Sequence, residues 1–309
     1  MQQDSKIYVA GHRGLVGSAI ARHLKKNGYK HLVTRTSKQL DLRDERKVKR
    51  FFEKEQPEYV FLAAAKVGGI LANDSYPVDF LQDNLQIQCN VISNAYKSGV
   101  NKLLFLGSSC IYPRDCPQPM KEEYLLTGPL EKTNEWYAIA KISGIKLCQA
   151  YRKQYGFNAI SAMPTNLYGP NDNFDLETSH VLPALIRKFH EAKISNRPEV
   201  IIWGTGSPRR EFLYINDLAD ASLFLMKNYD RKEIINIGTG EDITIKDLAE
   251  RISEIIGYNG KLKFDESKPD GTPRKLQDVT HLNTVGWTYQ TSLTQGIKHT
   301  YNWYKNNPG

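Results

Sequence analysis

The stretch KIYVAGHRGLVG at residues 6–17 runs from an apolar segment into a spaced glycine triplet. The β-branched run at 6–10 predicts a short strand, and the apolar spacing from Leu15 to Asn27 predicts a helix. Glycines at 11, 14 and 17 let the backbone turn sharply and come close to a pyrophosphate. The N-terminus of the helix offers unpaired N–H groups to that anion. The stretch therefore predicts the first unit of a dinucleotide-binding domain.

The alternation of strand and helix continues through the first half of the chain. Further strands are predicted near 31–34, 39–42, 58–63, 102–106 and 158–163, and helices near 43–55, 78–98 and 134–155. Nearly continuous apolar strands separated by helices are typical of a parallel sheet covered on both faces. We predict a doubly wound α/β fold of the Rossmann type, with a (β/α)8 barrel as the alternative.

The second half of the chain is less regular. Short strands are predicted near 200–203, 234–237 and 261–264, among helices and Pro/Gly turns. No Ser- or Pro-rich linker separates the halves, so we expect a smaller α/β lobe that packs closely on the first. The predicted dinucleotide-binding domain comprises residues 1–165 and roughly 211–240. The second lobe comprises residues 166–210 and 241–309.

The composition is globular with an excess of positive charge. The 309 residues include 42 Lys and Arg against 34 Asp and Glu, a formal net charge of +8. That charge suits nucleic acid, a membrane surface or a small polyanion, but no basic–aromatic stripe or nucleic-acid motif accompanies it. No apolar run reaches the length of a membrane span, and the N-terminus lacks a signal-peptide pattern. We expect a cytoplasmic protein without nucleic-acid or membrane partners.

The four cysteines are Cys89, Cys110, Cys116 and Cys148. They are too few for a secreted disulfide framework, and none forms a C-x-x-C pair. We therefore predict reduced thiols and no metal site.

The segment after the second predicted strand distinguishes between dinucleotides. NAD sites usually place an acidic residue there to hold the ribose 2′-hydroxyl, but residues 34–38 read TRTSK. Each cation could by itself be a solvated loop charge. The missing acid together with Arg13, Arg35 and Lys38 favours a 2′-phosphate, so we predict NADP(H) as the cofactor.

A tyrosine–lysine pair lies in the helix predicted at 134–155. Tyr137 and Lys141 are four residues apart and therefore share a helix face. A nearby ammonium is expected to lower the phenol pKa from about 10, so the pair can exchange a proton with a carbinol or carbonyl oxygen. Ser108 follows the strand predicted at 102–106, at the sheet edge where ligands bind. Its hydroxyl is expected to hydrogen-bond the reacting oxygen.

The order of GxxGxxG, the SSCIY run at 108–112 and YxxxK resembles the extended short-chain dehydrogenase/reductases that act on nucleotide sugars. Longer motifs are similar to those of the GDP-L-fucose synthase family: AAAKVGGI at 63–70, LGSSCIYP at 106–113, PTNLYGP at 164–170 and KPDGTPRK at 268–275. The resemblance implies that NADPH reduces a GDP-4-keto-6-deoxy sugar after epimerisation at C3 and C5. It also implies a homodimer formed through the helices near 78–98 and 134–155.

The resemblance assigns roles to individual residues. Ser108, Tyr137 and Lys141 match the catalytic triad, and Cys110 and His180 match the epimerisation base and acid. Cofactor contacts are expected at Gly11, Arg13, Gly14, Leu15, Val16, Gly17, Arg35, Ser37, Lys38, Asp41, Leu42, Ala63, Ala64, Ala65, Leu106, Gly107, Ser109, Pro164, Asn166 and Leu167. Substrate contacts are expected at Asn166, Lys188, Trp203, Arg210, Asp270 and Lys275.

One departure and two alternatives remain open at this point. Ser37 stands where a basic residue is expected, so Arg35 and Lys38 are expected to compensate. If residues 108–110 are extended, Ser108 and Cys110 point the same way, into one pocket.

One alternative is a reductase of another GDP-4-keto sugar, such as a heptose used in capsule building, with little or no epimerase activity. The other is a non-catalytic dinucleotide sensor, which would not need a complete catalytic triad.

Overall fold

The computed structural model describes residues 1–268 and 270–307. Over these residues the strands are β1 Ile7–Ala10, β2 Leu32–Val33, β3 Tyr59–Leu62, β4 Lys102–Leu106, β5 Ala159–Pro164, β6 Asn166–Tyr168, β7 Glu199–Trp203, β8 Arg209–Tyr214, β9 Ile235–Ile237, β10 Asp242–Thr244, β11 Lys261–Asp265 and β12 Arg274–Lys275. The α-helices are α1 Leu15–Lys26, α2 Glu45–Glu55, α3 Ile70–Ser75, α4 Asn84–Lys97, α5 Glu135–Tyr155, α6 Val181–Ile194, α7 Ile215–Asn228, α8 Ile245–Ile256, α9 Thr280–Thr284 and α10 Leu293–Asn306.

In the described part of the chain, one open sheet contains six strands in the order β2-β1-β3-β4-β5-β9. Each neighbouring pair is parallel. Alternate residues of β1 enter different cores, with Ile7 and Val9 on the face that α1 and α7 cover, and Tyr8 and Ala10 on the face that α2, α4 and α5 cover. This confirms the doubly wound α/β fold. The barrel alternative is wrong, because this sheet has two free edges.

The predicted strand at 39–42 is wrong. The N–H groups of Gln39 and Leu40 donate to the carbonyl of Thr36, at 2.9 and 2.8 Å, and the Thr36 hydroxyl bonds the Gln39 side chain. Asp41 is clasped by Arg43 through both carboxylate oxygens. Local side-chain and backbone hydrogen bonds therefore satisfy this segment as a series of turns, in competition with sheet pairing.

Helices α4 and α5 lie on one face of the sheet, beside β4. A π-helical turn at Asp79–Asp83 leads directly into α4. A Cβ at Gly144 of α5 would lie 2.4 Å from the Phe105 ring and 2.6 Å from the Gln88 side chain. This glycine is therefore required for α5 to pack against both β4 and α4.

The second lobe is built around β8. This strand pairs with β10 in antiparallel and with β6 and β12 in parallel orientation, and β7 pairs separately with β11. The predicted domain boundary at residue 211 cuts β8, which lies wholly within this second sheet. The chain returns to the large sheet through α7, which packs on α1, and through β9.

None of the helices in residues 1–268 and 270–307 combines the length and the hydropathy that a membrane span requires.

Candidate active site

The glycine loop between β1 and α1 is closely packed. Gly11 has a φ of +83°, and a Cβ on it would lie 2.8 Å from the Ala64 amide nitrogen after β3. A Cβ on Gly17 would lie 2.2 Å from the Gly11 carbonyl oxygen. Helix α1 begins after Gly14, a residue that has no side chain to cap the first N–H groups. The loop therefore fits a pyrophosphate held by backbone amides at a helix N-terminus.

Replacing Gly17 with alanine is expected to weaken NADPH binding by about ten- to hundredfold, because the added methyl would push the Gly11 carbonyl and open the loop. Fluorescence titration with NADPH measures the affinity. A thermal melt of the same sample separates loop distortion from global unfolding. NADPH affinity within about twofold of the parent would contradict this assignment of the loop.

The residues predicted to bind the 2′-phosphate differ in whether the protein itself already bonds them. Arg35 donates to Glu55 at 2.6 Å and to the Thr34 carbonyl at 2.7 Å, and Glu55 also pairs with Lys6 at 3.1 Å. Arg13, Ser37 and Lys38 are exposed. A cleft of about 440 Å³ beside the loop is lined by His12, Arg13, Ser18, Ala21, Arg22, Lys25, Leu32, Thr34 and Asn171. Arg13 and Lys38 are therefore available to a phosphate, whereas Arg35 is held by Glu55.

The other predicted cofactor residues lie around the carboxyl ends of the strands. Ala63 to Ala65 follow β3, Gly107 follows β4, and Pro164 ends β5. A Cβ on Gly107 would lie 2.4 Å from the Met163 sulfur, so β4 and β5 meet closely there. At the same edge, Asn90 donates to the Leu42 carbonyl at 2.9 Å. The structure therefore brings these positions together at one edge of the large sheet. The Asp41 carboxylate is already hydrogen-bonded to Arg43.

Lys141 is positioned by the end of β4. Its side chain is 4% exposed, and its ammonium donates to the Leu106 carbonyl at 2.7 Å. The Nζ atom lies 4.9 Å from the Phe105 ring centroid and 5.7 Å from that of Tyr137. The Tyr137 ring packs edge-on against Phe80, with 6.3 Å between centroids. The tyrosine–lysine pair of α5 therefore lies against the strand end that carries Ser108.

The expectation that Lys141 lowers the phenol pKa is wrong for this structure. Burial raises the pKa of Tyr137 well above its usual value, and the neighbouring Cys110 adds to the rise. Burial also lowers the pKa of Lys141 to about 8. Desolvation of the phenolate outweighs the ammonium one turn away, so the phenol is protonated at neutral pH. That form is the one needed to donate a proton.

The rate of reduction is expected to fall as the pH rises through about 8, because Lys141 is charged below its pKa and neutral above it. The expected loss is about tenfold per pH unit above that value. A pH profile of kcat/KM measures it. Lys141→Arg is the matched control. A guanidinium stays charged over this pH range, so the fall in rate above pH 8 is expected to disappear from the profile. A profile of the parent that stays flat well above pH 8 would contradict the requirement for the ammonium.

The expectation that residues 108–110 are extended is wrong, because Ser109–Ile111 form a 3-10 turn. The Ser108 hydroxyl accepts a hydrogen bond from the Cys110 N–H at 3.3 Å, as the cap of that turn. Such local capping by serine competes with extended backbone. Ser108 and Cys110 are still neighbours, but through the turn rather than through strand alternation.

The pKa values of Cys110 and His180 shift in opposite directions in this structure. Burial raises the pKa of the Cys110 thiol, and Ser108, Lys275 and Lys141 oppose that rise. Burial and the charge of Lys275 lower the pKa of His180. His180 is the N-cap residue of α6, makes no side-chain capping bond and is exposed. Lys275 lies within electrostatic range of both Cys110 and His180.

Three predicted substrate residues lie around the end of β7. Trp203 is 56% exposed, and its ring lies 5.5 Å from the Lys188 ammonium and 5.6 Å from that of Lys268. The Asp270 carboxylate accepts hydrogen bonds from Thr205, at 3.0 Å from its N–H and 2.7 Å from its hydroxyl. Asp270 is therefore bonded within the protein, whereas Trp203 presents an open face between two cations.

Arg210 and Lys275 are register partners on β8 and β12. Burial lowers the pKa of both side chains, and Asp270 opposes this at Arg210. Asn166 donates to the Glu211 carbonyl at 2.8 Å, which leaves its second N–H and its amide oxygen for a ligand. The cations suit a diphosphate. Pro269, within the predicted KPDGTPRK motif, lies outside the described residues.

Two residues of the site were not predicted. Lys268 faces Trp203, and its place at the start of the KPDGTPRK motif was the available signal. Glu131 opposes the lowering of the Arg210 and Lys275 pKa values by burial, and it accepts a hydrogen bond from the Thr272 hydroxyl at 3.3 Å. Glu131 carries no sequence signal, because only the packing of the lobes brings it to these cations.

Comparison with known proteins agrees with these motifs. The family described as "NAD dependent epimerase/dehydratase family" matches residues 7–238. GDP-L-fucose synthase 1 of Arabidopsis thaliana is 61% identical over 305 residues, covering 99% of this chain and 94% of that protein. GDP-L-fucose synthase of Escherichia coli is 53% identical over 311 residues, covering 98% and 97%. The solved structure of MlghC, a GDP-mannoheptose C4 reductase from Campylobacter jejuni with NADP bound, is 42% identical, covers 99% of both chains and has a TM-score of 0.93.

The resemblance inferred from the motifs is thus confirmed. The family match covers more than half of the chain and begins at β1. The similarity to the two synthases extends over both lobes. The chain belongs to the NAD dependent epimerase/dehydratase family, and within it is similar to GDP-L-fucose synthases over nearly its whole length.

Proposed function

We propose that the chain converts GDP-4-keto-6-deoxy-D-mannose to GDP-L-fucose by 3,5-epimerisation and NADPH-dependent reduction at C4. The observation that carries the proposal is the packing of Tyr137 and Lys141 against the end of β4, where the Ser108 hydroxyl accepts a hydrogen bond from the Cys110 N–H. Lys275, the register partner of Arg210, lies within electrostatic range of Cys110 and His180. These observations support assigning the reducing residues, the proton-exchanging pair and the diphosphate-binding cations to one site.

The chain's residues fit NADP(H). The loop at Gly11 and Gly17 leaves no room for a Cβ, as close approach of a pyrophosphate requires, and Arg13 and Lys38 would meet the 2′-phosphate. When bound, NADPH supplies a hydride to the C4 carbonyl carbon. The protonated Tyr137 phenol donates a proton to the C4 oxygen, and the Ser108 hydroxyl hydrogen-bonds the same oxygen. Lys141, anchored on Leu106, stabilises the negative charge left on Tyr137.

Epimerisation uses the acidity of protons next to the ketone. Removal of a proton from C3 or C5 gives an enolate, and delivery of a proton to the opposite face inverts that carbon. We assign these two transfers to Cys110 and His180, a thiol and an imidazole. Burial raises the pKa of the thiol, against the opposing effect of Lys275 and Lys141, and lowers the pKa of the imidazole. No electrons are gained or lost in the inversions, so reduction is the only redox step.

The nucleotide end of the substrate is assigned to the second lobe. Arg210 and Lys275 would hold the diphosphate, Arg210 in a bidentate manner. The open face of Trp203 would pack on the base or a sugar. We assign residues 1–165 and the return through α7 and β9, roughly to residue 240, to cofactor binding, and residues 166–210, the rest of β8 and residues 241–309 to the GDP-sugar.

The decisive test incubates the purified protein with NADPH and GDP-4-keto-6-deoxy-D-mannose and identifies the product by NMR. GDP-L-fucose is expected, with oxidation of NADPH. Failure to oxidise NADPH, or reduction without inversion at C3 and C5, would overturn the proposal.

A second candidate is reduction at C4 of another GDP-4-keto sugar without epimerisation. The similarity to a GDP-mannoheptose C4 reductase over 99% of both chains favours it. Parallel assays with a GDP-4-keto-heptose distinguish the two substrates by their kcat/KM values.

The free buried thiols of Cys110 and Cys148 suit the reducing cytoplasm in which we place the enzyme.

We also propose a homodimer formed through α4 and α5. Near these helices, Val78, Trp136 and Tyr155 are large hydrophobic side chains left exposed. Sedimentation equilibrium is expected to report twice the chain mass of 35.2 kDa, and Tyr155→Glu to shift it towards the monomer. The substitution Ile194→Glu, at an exposed residue of α6, is the control. A monomeric parent would exclude the dimer.

A further inference from the structure

Glu211 of β8 is a carboxylate without solvent contact. The residue is 0% exposed, and its three shortest hydrogen bonds come from backbone N–H groups, with a longer one of 3.5 Å from the Thr239 hydroxyl. One oxygen accepts from Thr239 at 2.6 Å and from Gly240 at 2.8 Å, and the other accepts from Gln277 at 2.9 Å. Since every partner donates, this arrangement suits an ionised carboxylate and no neutral side chain of the same shape.

The turn after β9 is shaped around this carboxylate. A Cβ on Gly238 would lie 2.1 Å from the Glu211 Oε1 atom. Glycine at 238 is therefore required for the carboxylate to reach the N–H groups of the next two residues. The backbone carbonyl of Glu211 in turn accepts from the Asn166 side chain at 2.8 Å. One residue thus joins β8 to three other segments of the chain.

Gln277 and Asn236 extend the network to β5 and to Tyr112, which follows the catalytic turn. The Gln277 amide donates to the Met163 carbonyl at 2.9 Å and to the Asn236 side chain at 3.1 Å. The Asn236 oxygen also accepts from the Tyr112 hydroxyl at 2.5 Å, and its amide donates to the Met120 carbonyl at 2.9 Å. Asn236 and Gln277 are themselves buried, so these bonds are made away from water.

The ends of this network lie next to both halves of the proposed site. Arg210 precedes Glu211, and Lys275 lies two residues before Gln277. Tyr112 ends the segment that carries Ser108 and Cys110. We infer that Glu211, with Gln277 and Asn236, is a positioning element that holds the diphosphate cations at a set distance from the catalytic turn.

The inference takes its substrate from the proposed function, but the hydrogen-bond network from which it is argued does not depend on that function. A GDP-sugar must place its diphosphate on the cations and its ketone at the catalytic turn at the same time. Small displacements of either group are costly to the rate. A buried carboxylate with three short bonds is stiffer than the exposed ion pairs of a surface, so it can keep two sheets in register.

The test compares Glu211→Gln and Gln277→Leu with the parent. In Glu211→Gln, an amide NH2 donor faces backbone N–H donors and cannot accept from them. Gln277→Leu removes two side-chain hydrogen bonds while leaving the Glu211 carboxylate intact. GDP is the binding probe. We expect both variants to bind GDP about tenfold more weakly or worse, with a raised KM for the GDP-sugar. NADPH affinity is expected to change less than about twofold, because the glycine loop is remote from the network.

Asp217→Asn is the matched control. Asp217 is another buried carboxylate, which accepts from the N–H and hydroxyl of Thr291 at 3.0 and 3.2 Å. We expect this variant to melt at a lower temperature with GDP affinity unchanged. If Glu211→Gln and Gln277→Leu also lose only melting temperature, the role is structural and the inference is overturned. Should Glu211→Gln fail to fold, Gln277→Leu alone decides.

The proposed function fails separately. If the parent binds GDP but does not reduce GDP-4-keto-6-deoxy-D-mannose, the substrate assignment is wrong. Weakened GDP binding in the two variants would still support the positioning element. If the parent reduces the substrate and both variants keep its KM and GDP affinity, the positioning element is wrong and the function stands.

Discussion

Replacing Tyr137 with phenylalanine is expected to lower kcat by about 10²- to 10⁴-fold, with little change in NADPH affinity. The substitution removes only the phenol oxygen, which is the proposed proton donor. The ring that packs on Phe80 remains. Lys141 keeps its bond to the Leu106 carbonyl, so its position does not depend on the lost hydroxyl. The chemical step is thus affected while the fold and the cofactor loop are left intact.

Steady-state oxidation of NADPH measures kcat, and fluorescence titration measures NADPH affinity. Tyr151→Phe is the matched control, since it removes the same atom from the same helix in an aromatic cluster with Tyr96 and Phe157. Its kcat is expected to equal that of the parent. If Tyr137→Phe retained the parent kcat, another group would have to supply the proton, and the assignment of Tyr137 would be wrong.

Replacing Cys110 with serine is expected to stop proton exchange at C3 and C5 and to lower formation of GDP-L-fucose by about 10²- to 10⁴-fold. Burial raises the pKa of the Cys110 thiol, and Lys275 and Lys141 oppose that rise by favouring the ionised form. A serine hydroxyl does not ionise in the pH range of a thiol and cannot take the proton. The reduction step is expected to survive, because Ser108, Tyr137 and Lys141 are unchanged.

Deuterium incorporation from D2O, read by NMR, measures exchange at C3 and C5 directly. The variant is expected to reduce a substrate that is already epimerised at nearly the parent rate. Cys89→Ser, at an exposed thiol of α4, is the control and is expected to exchange normally. Exchange at the parent rate in Cys110→Ser would remove Cys110 from the mechanism and leave His180 without its proposed partner.

The motifs of the first half were sufficient for the parallel sheet. Apolar runs at 6–10, 58–63, 102–106 and 158–163 are buried on both faces, so their pattern alone predicts strands. The segment at 39–42 shows where such patterns fail. Its alternating leucines suit a strand, but Thr36 and Arg43 satisfy its polar groups locally.

The electrostatics of the site could not be inferred from spacing. YxxxK predicts that Tyr137 and Lys141 are neighbours, and they are. It does not report the burial of both groups, which raises the pKa of the phenol and lowers that of the amine. Desolvation depends on every element packed around a side chain. Whether it outweighs the effect of a nearby charge on the pKa is therefore decided only in the folded chain.

Local residue patterns were therefore enough for the fold class and the glycine loop, and they predict the reducing residues, because each depends on neighbours within one strand, turn or helix. The folded chain alone decides that Lys275 lies within electrostatic range of Cys110 and His180, that Glu55 holds Arg35, and that Glu211 joins β8 to Gln277. These contacts link residues far apart in sequence, and their partners are selected by packing of the two sheets rather than by any local period.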